Sequence, residues 1–354
     1  MQRPAAGTAA EYRRHLGRKI LVLAGLALAV LAMLAVSVAV GAATLPLGEV
    51  VRSLLGLEVP RQVEVIVWNI RLPQAVACLV AGCGLAAAGA AMQSILRNPL
   101  GSPFTLGISH AAAFGAALSV MFLGGGMMTS KGAIAITNPW LTTAAAFACS
   151  LAAAGVIVAI SRLRGASPEV MVLTGVALGA LFTAGTMLLQ YFADDVQLAA
   201  MVFWTFGDAA RASWRDCAVM AGVTGAVLLF FLASSWQYNA IDAGDETARG
   251  LGVRVGRVRM AGMLAASLAT AVIISLLGVI GFVGLVAPHM VRRVIGADHR
   301  FLLPGAALTG GLLLQASDTA ARLMLAPHVL PVSVLTAFLG APAFLALILG
   351  RRMS

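Results

Sequence analysis

Charged residues in this chain are spaced so that long uncharged apolar stretches stand between them: Ile20 to Gly48, Leu72 to Leu96, Gly132 to Ser161, Val170 to Ala193, Cys217 to Ile241 and Leu323 to Gly350. Each is long enough to cross a bilayer, which takes about 20 apolar residues. None alternates strictly between apolar and polar positions, so in lipid each must pair its backbone N–H and C=O groups within itself. The pattern predicts helices and excludes a β-barrel. Dividing the stretches at charges, proline and glycine gives ten spans near 20–44, 72–96, 105–123, 139–161, 170–192, 217–238, 260–276, 279–295, 303–321 and 331–350. The uncharged stretch from Met260 to Val291 is long for one helix, and Gly278 and Gly281 place a break that makes it two.

Two further segments are too short to cross. Val196 to Gly207, bounded by Asp194, Asp195 and Asp208, predicts an interfacial or re-entrant helix. The charged loop 242–259 predicts a short helix with Asp242 or Asp245 near its start and Gly250 and Gly252 as stops.

Composition strengthens the membrane reading. The chain of 354 residues is 60% hydrophobic and 11% charged, with a mean hydropathy of +0.94; soluble domains carry roughly 25% charged residues. The expected fold class is all-α and polytopic, with residues 1–19 as a cytoplasmic tail and 20–354 as a single transmembrane domain. Arg13, Arg14, Arg18 and Lys19 precede the first apolar stretch as in a signal peptide, but the stretch is too long and lacks a clean cleavage site, so it is expected to be retained.

With ten spans both termini share one side. Most of the 24 Lys and Arg residues then fall on that side, leaving Arg52, Arg61, Arg71, Lys131, Arg211, Arg215 and Arg322 on the other. The asymmetry places both termini in the cytoplasm. It also accounts for the net charge of +10 through short loops beside spans, so the expected surface partner is membrane lipid and not nucleic acid.

Candidate chemistry is sparse. The chain holds no GxxxxGK[ST], HExxH, CxxC or GxSxG sequence, so no ATPase activity of its own, no catalytic residue, no metal site and no cofactor are expected. Cys78, Cys83, Cys149 and Cys217 lie in or beside apolar stretches and are read as packing residues. The span centres carry no Asp, Glu, Lys or Arg, where an ion-coupled transporter keeps one. Asp318 stands four residues before Arg322, as in a local ion pair. His110 is read as a hydrogen-bonded helix-interior histidine and His289 as an interfacial polar contact, neither as a ligand.

Several segments together resemble the iron-chelate, haem and cobalamin permease family of type II ABC importers. They are Ile70 to Pro73 (IRLP), Gly89 to Ser109 (GAAMQSILRNPLGSPFTLGIS), Gly175 to Gly179 (GVALG), Gly244 to Gly252 (GDETARGLG), Gly281 to Arg292 (GFVGLVAPHMVR) and Leu330 to Pro342 (LPVSVLTAFLGAP). The resemblance implies a homodimer of ten-helix subunits with a cobalamin-permease-like fold in the inner membrane. Its implied partners are two copies of an ATP-binding subunit and a periplasmic or lipoprotein substrate-binding protein. Asp245, Glu246, Thr247, Ala248, Arg249, Gly250, Leu251 and Gly252 match the helix that docks into the ATPase. Arg71 and Arg322 match arginines that seat the binding protein; Gln74 stands where some relatives carry another, which implies either a weaker docking interface or one that relies on Arg61. The inner gate is expected at Ala166, Ser167 and Pro168, the outer gating helix over about 196–207, and the pathway wall at Thr174, Leu178, Thr183 and Met187. The implied cargo is a ferric siderophore, cobalamin or haem. The rival readings are an ion-coupled secondary transporter and an intramembrane enzyme.

Overall fold

The computed structural model describes residues 6–41, 43–123, 127–128, 134–135, 138–325 and 329–349. Arg3, Lys131, Arg351 and Arg352, counted above in the charge asymmetry, lie outside them. The described elements are helical apart from one antiparallel pairing of Met127–Met128 with Ile134–Ala135. In chain order they are α1 (Ala6–Ala39), α2 (Leu47–Leu54), α3 (Arg61–Val65), α4 (Leu72–Ile95), α5 (Ile108–Phe122), α6 (Pro139–Leu163), α7 (Pro168–Phe192), α8 (Asp195–Thr205), α9 (Trp214–Ala233), α10 (Ser235–Asp242), α11 (Asp245–Gly250), α12 (Val255–Leu277), α13 (Val283–Ile295), α14 (His299–Met324) and α15 (Val332–Leu349).

Among the described residues six helical stretches are long and apolar enough to cross a membrane: Arg13–Ala39, Arg61–Ile95, Pro139–Leu163, Pro168–Phe192, Trp214–Ala233 and Val255–Leu277. The expectation of ten is thereby reduced to six on these criteria. The apolar helix Ile108–Phe122 is shorter, α13 has 13 residues, and α14 carries Arg300, Asp318 and Arg322.

Boundaries depart from the apolar pattern where capping or backbone chemistry intervenes. The first helix includes the described residues before Ile20, because the charged segment there continues it. Helix α3 runs through a π-helical turn, Ile66–Arg71, directly into α4. Pro73 lacks the N–H that the Asn69 carbonyl would accept, and the turn before it widens so that Leu72 N donates to Val67 O. The break between α12 and α13 falls at Gly278 (φ 83°), as the glycines imply, and ends on Phe282 at φ 64°, outside the usual range of an aromatic residue.

Helix α4 is the centre of the bundle, packed on α9, α12, α13 and α14. It is largely Ala and Gly, which lets neighbouring backbones come close where lipid supplies no hydrophobic drive. Leu85, Met92, Ile95, Met263, Ile273 and Leu303 belong to the main core around it. Helix α7 lies on the flank. Its exposed face carries Leu173, Val176, Leu181, Leu188 and Tyr191, while Gly175 and Gly179 meet the turn before α5.

Candidate coupling and gating site

The charged loop forms the expected short helix. Gly244 (φ 117°) and Gly252 (φ 83°) bracket α11 in conformations that favour glycine. Ala248 anchors it in a small core with Ile241, Val253 and Val255. Glu246, Thr247, Arg249 and Leu251 face outward. Asp245, the first residue of the helix, receives two hydrogen bonds from Arg259 of α12, Nη1 to Oδ2 at 2.8 Å and Nη2 to Oδ1 at 2.6 Å. Arg259 is 2% exposed and also donates from Nε to Ile95 O at the end of α4, 2.9 Å away. Arg97 lies 3.9 Å from the same carboxylate. Hydrogen bonds from Arg259, followed by its charge and that of Arg97, hold the Asp245 carboxyl below its ordinary pKa. The preceding helix is tied down in turn. His299 Nε2 lies 3.0 Å from Asp242 and 2.8 Å from Ser94 Oγ, and Asn239 donates to Asp298 at 3.0 Å.

A cleft of about 410 Å³ opens beside this anchor, lined by Leu96, Arg97, Gly165, Ser167, Pro168, Glu169, Asp245, Arg249 and Arg259. Two groups of residues far apart in sequence, those matching a gate and those matching a coupling helix, therefore share one wall-to-wall space. Ser167 caps α7 by accepting from Val170 N at 3.3 Å. Ala166 differs from Ser167 and Pro168: at φ 56° it is buried, and its N donates to Ser161 O at 2.7 Å.

At the opposite end α8 is fixed by a capping box, in which Asp194 accepts from Gln197 N and Gln197 accepts from Asp194 N. Its exit is held from two sides. Asp208 N donates to Leu277 O of α12 at 2.8 Å, and Val332 N of α15 donates to Gly207 O at 3.1 Å.

The four wall candidates in α7 do not share a face. At about 100° per residue, Thr174 and Thr183 stand on opposite sides of the helix. Leu178 packs against the main core, whereas Thr183 and Met187 line a cavity of about 190 Å³ with His110, Thr186 and Gln190. His110 packs against Phe104, with ring centroids 5.6 Å apart. Among the described residues no group of three His, Cys, Asp or Glu side chains is placed to hold a metal.

Comparison with known proteins decides the family. The model of the FecCD transport family matches residues 20–350. The chain belongs to the FecCD transport family. It is 53% identical over 310 residues to a Methanocaldococcus jannaschii protein named as an ABC transporter permease, covering 88% of each chain. It is 38% identical over 287 residues to the hemin transport system permease protein HmuU of Yersinia pestis, covering 81% of this chain and 84% of the relative. A solved inward-facing conformation of a metal-chelate type ABC transporter superposes with a TM-score of 0.79 at 27% identity, over 94% of this chain and 99% of that one.

In this FecCD-family chain the two arginines expected to face a binding protein are instead internal. Arg71 is 3% exposed and Arg322 5% exposed. Arg71 donates to Val38 O at 3.0 Å, to Ala39 O at 2.8 Å and to Ala43 O. Arg322 donates to Val40 O at 3.0 Å, to Ser37 Oγ at 2.8 Å and to Asp318 at 3.0 Å. Both guanidiniums satisfy carbonyls left open at the end of α1, where cations are favoured by the helix dipole. Neither therefore stands as an outward-facing cation. The Asp318–Arg322 pair is present as the spacing implies, extended by Gln74 donating to Asp318 at 2.9 Å. Arg259 was not singled out by the sequence. It stands with Arg254 and Arg257 in one basic run, and nothing local marks which of the three turns inward.

Proposed function

We propose that this chain is the permease subunit of an ATP-driven importer that carries a metal chelate, a ferric siderophore, cobalamin or haem, across the inner membrane. The observation that carries the reading is the geometry of α11. One face is anchored by Asp245 and Ala248, the other presents Glu246, Thr247, Arg249 and Leu251, and its base opens on the cleft bounded by Ser167 and Pro168. A small rigid helix of this kind suits a groove on an ATP-binding subunit and passes rigid-body motion to what it is bonded to. Two such subunits, a substrate-binding protein and a second copy of the chain complete the assembly. The α11 end and both termini face the cytoplasm, and α5, α13, α14 and α15 join the six long apolar helices in spanning.

The bare faces of α7 and α15, with Leu181, Leu188, Phe338 and Leu339 exposed, suit a two-fold axis that places like surfaces opposite each other and leaves a wide path between them. Docking of the binding protein falls to exposed cations such as Arg61 on the α2 side; Arg71 and Arg322 act there by fixing the end of α1. Asp318, the buried acid of α14, is bonded to Arg322 and Gln74 and so is not open to a coupling ion.

The test is the double variant Glu246→Ala, Arg249→Ala in proteoliposomes with the ATP-binding subunit. Insertion is expected to persist while transport and stimulated ATP hydrolysis separate. Unchanged transport and unchanged stimulation contradict the assignment of α11.

A further inference from the structure

We propose that Arg259 is the positioning residue that joins movement of α11 to the gate at the opposite end of the subunit, with α12 as the rod between them. The inference rests on the importer reading above and names a residue outside the docking helix as its transmission point.

A buried guanidinium persists only where its donors are satisfied and its charge is paired. Arg259 meets both conditions by bridging three elements: it sits on α12, grips Asp245 at the head of α11 through both Nη atoms, and binds the Ile95 carbonyl at the end of α4 through Nε. A two-pronged contact fixes orientation as well as distance, which a single ammonium would not do. Ala248 and Val255 share one small core, so the start of α12 is packed against α11 as well as bonded to it. Helix α11 therefore cannot tilt without drawing α12 along.

Helix α12 runs for 23 residues without a proline, a length of roughly 35 Å at 1.5 Å per residue. Its far end carries the second set of joints. Leu277 O accepts from Asp208 N at 2.8 Å. Gly278, at φ 83°, is wedged against the Trp204 and Phe206 carbonyls, where a Cβ would lie 2.7 Å and 3.1 Å from the two oxygens. Gly207, one residue before Asp208, accepts from Val332 N at 3.1 Å and donates to Ser333 Oγ at 3.2 Å. The same helix thus holds α11 at one end and, at the other, the last turn of α8 and the segment leaving it, which is itself bonded to the first turn of α15. Arg254 and Arg257, close by in sequence, are exposed and make no such bridge, which supplies a matched control.

The experiment uses the full chain in complex with its ATP-binding subunit in nanodiscs. Cys78, Cys83, Cys149 and Cys217 are replaced by alanine, and Leu198→Cys, on the exposed side of α8, serves as reporter. Its labelling rate by a maleimide is measured without nucleotide and with ATP plus vanadate. The reference protein and Arg257→Met are expected to show a nucleotide-dependent rate. In Arg259→Met the ratio between the two states is expected to collapse to unity while the ATP-binding subunit still co-purifies. Arg259→Lys, which keeps the charge and loses the fork, is expected to fall between. A full nucleotide response in Arg259→Met overturns the proposal, and if that variant fails to assemble, a full response in Arg259→Lys overturns it equally. No response in the reference protein overturns the importer reading and this inference together.

Discussion

Gly89 of α4 and Gly284 of α13 meet backbone to backbone, so closely that a Cβ built on Gly89 overlaps the Gly284 carbonyl. The obstacle is main chain and cannot swing aside. Gly89→Val is therefore expected to destabilise the subunit by at least the ~1–3 kcal/mol typical of overpacking. Gly25→Val, on α1 with open space around it, is expected to have little effect. Thermal unfolding in detergent compares the two.

Arg322 and Asp318 form a second relationship that decides between roles. Arg322→Met leaves the Asp318 carboxylate buried without its charge partner, a change that costs about 3–5 kcal/mol in comparable sites. Adding Asp318→Asn is expected to recover much of the loss. If Arg322→Met leaves stability intact and slows only association with the binding protein, the arginine acts in docking and not in holding α1.

The anchor of α11 carries a pH signature. Because the folded-state pKa of Asp245 is depressed by Arg259, its contribution is fully present above the ordinary carboxylate pKa of about 3.9 and is lost as pH falls through the lower folded value. Hydrogen exchange at the Ala248 and Arg249 amides is expected to stay protected, relative to Asp245→Asn, from neutral pH down to that range and to converge with the variant only in stronger acid. Convergence near pH 7 contradicts the ion-paired geometry.

The two flanks of α7 give a further expectation. Met187→Cys, on a side chain that is 62% exposed, is expected to react with a membrane-permeant maleimide, while Leu178→Cys, packed on the core, is expected to resist. Equal labelling at both positions contradicts the orientation of the helix.

Much of this architecture is legible in the sequence, for identifiable reasons. Charge-free length fixes α4, α6 and α7 to within two residues, because lipid enforces internal backbone pairing there. The acidic bounds Asp194, Asp195 and Asp208 mark α8 and the stops Gly250 and Gly252 mark α11, because these signals act over a few neighbouring residues. What escaped depends on partners distant in the chain. Arg71 and Arg322 look like loop cations until α1 brings the carbonyls of Val38, Ala39 and Val40 to them. Arg259 looks like its neighbours until Asp245 and Ile95 converge on it. The α7 candidates follow from the resemblance and from small or weakly polar side chains at near-helical spacing, and only the angle around the helix separates Thr174 from Thr183.

Nucleotide, and not an ion gradient, is expected to move a chelate through this subunit. The most direct measurement is uptake into proteoliposomes holding the chain, its ATP-binding subunit and its substrate-binding protein, with a ferric siderophore, cyanocobalamin and hemin each supplied in turn. Uptake of one of these is expected to require ATP on the α11 side and to survive collapse of the proton and sodium gradients. Uptake that follows an imposed gradient in the absence of ATP contradicts the account.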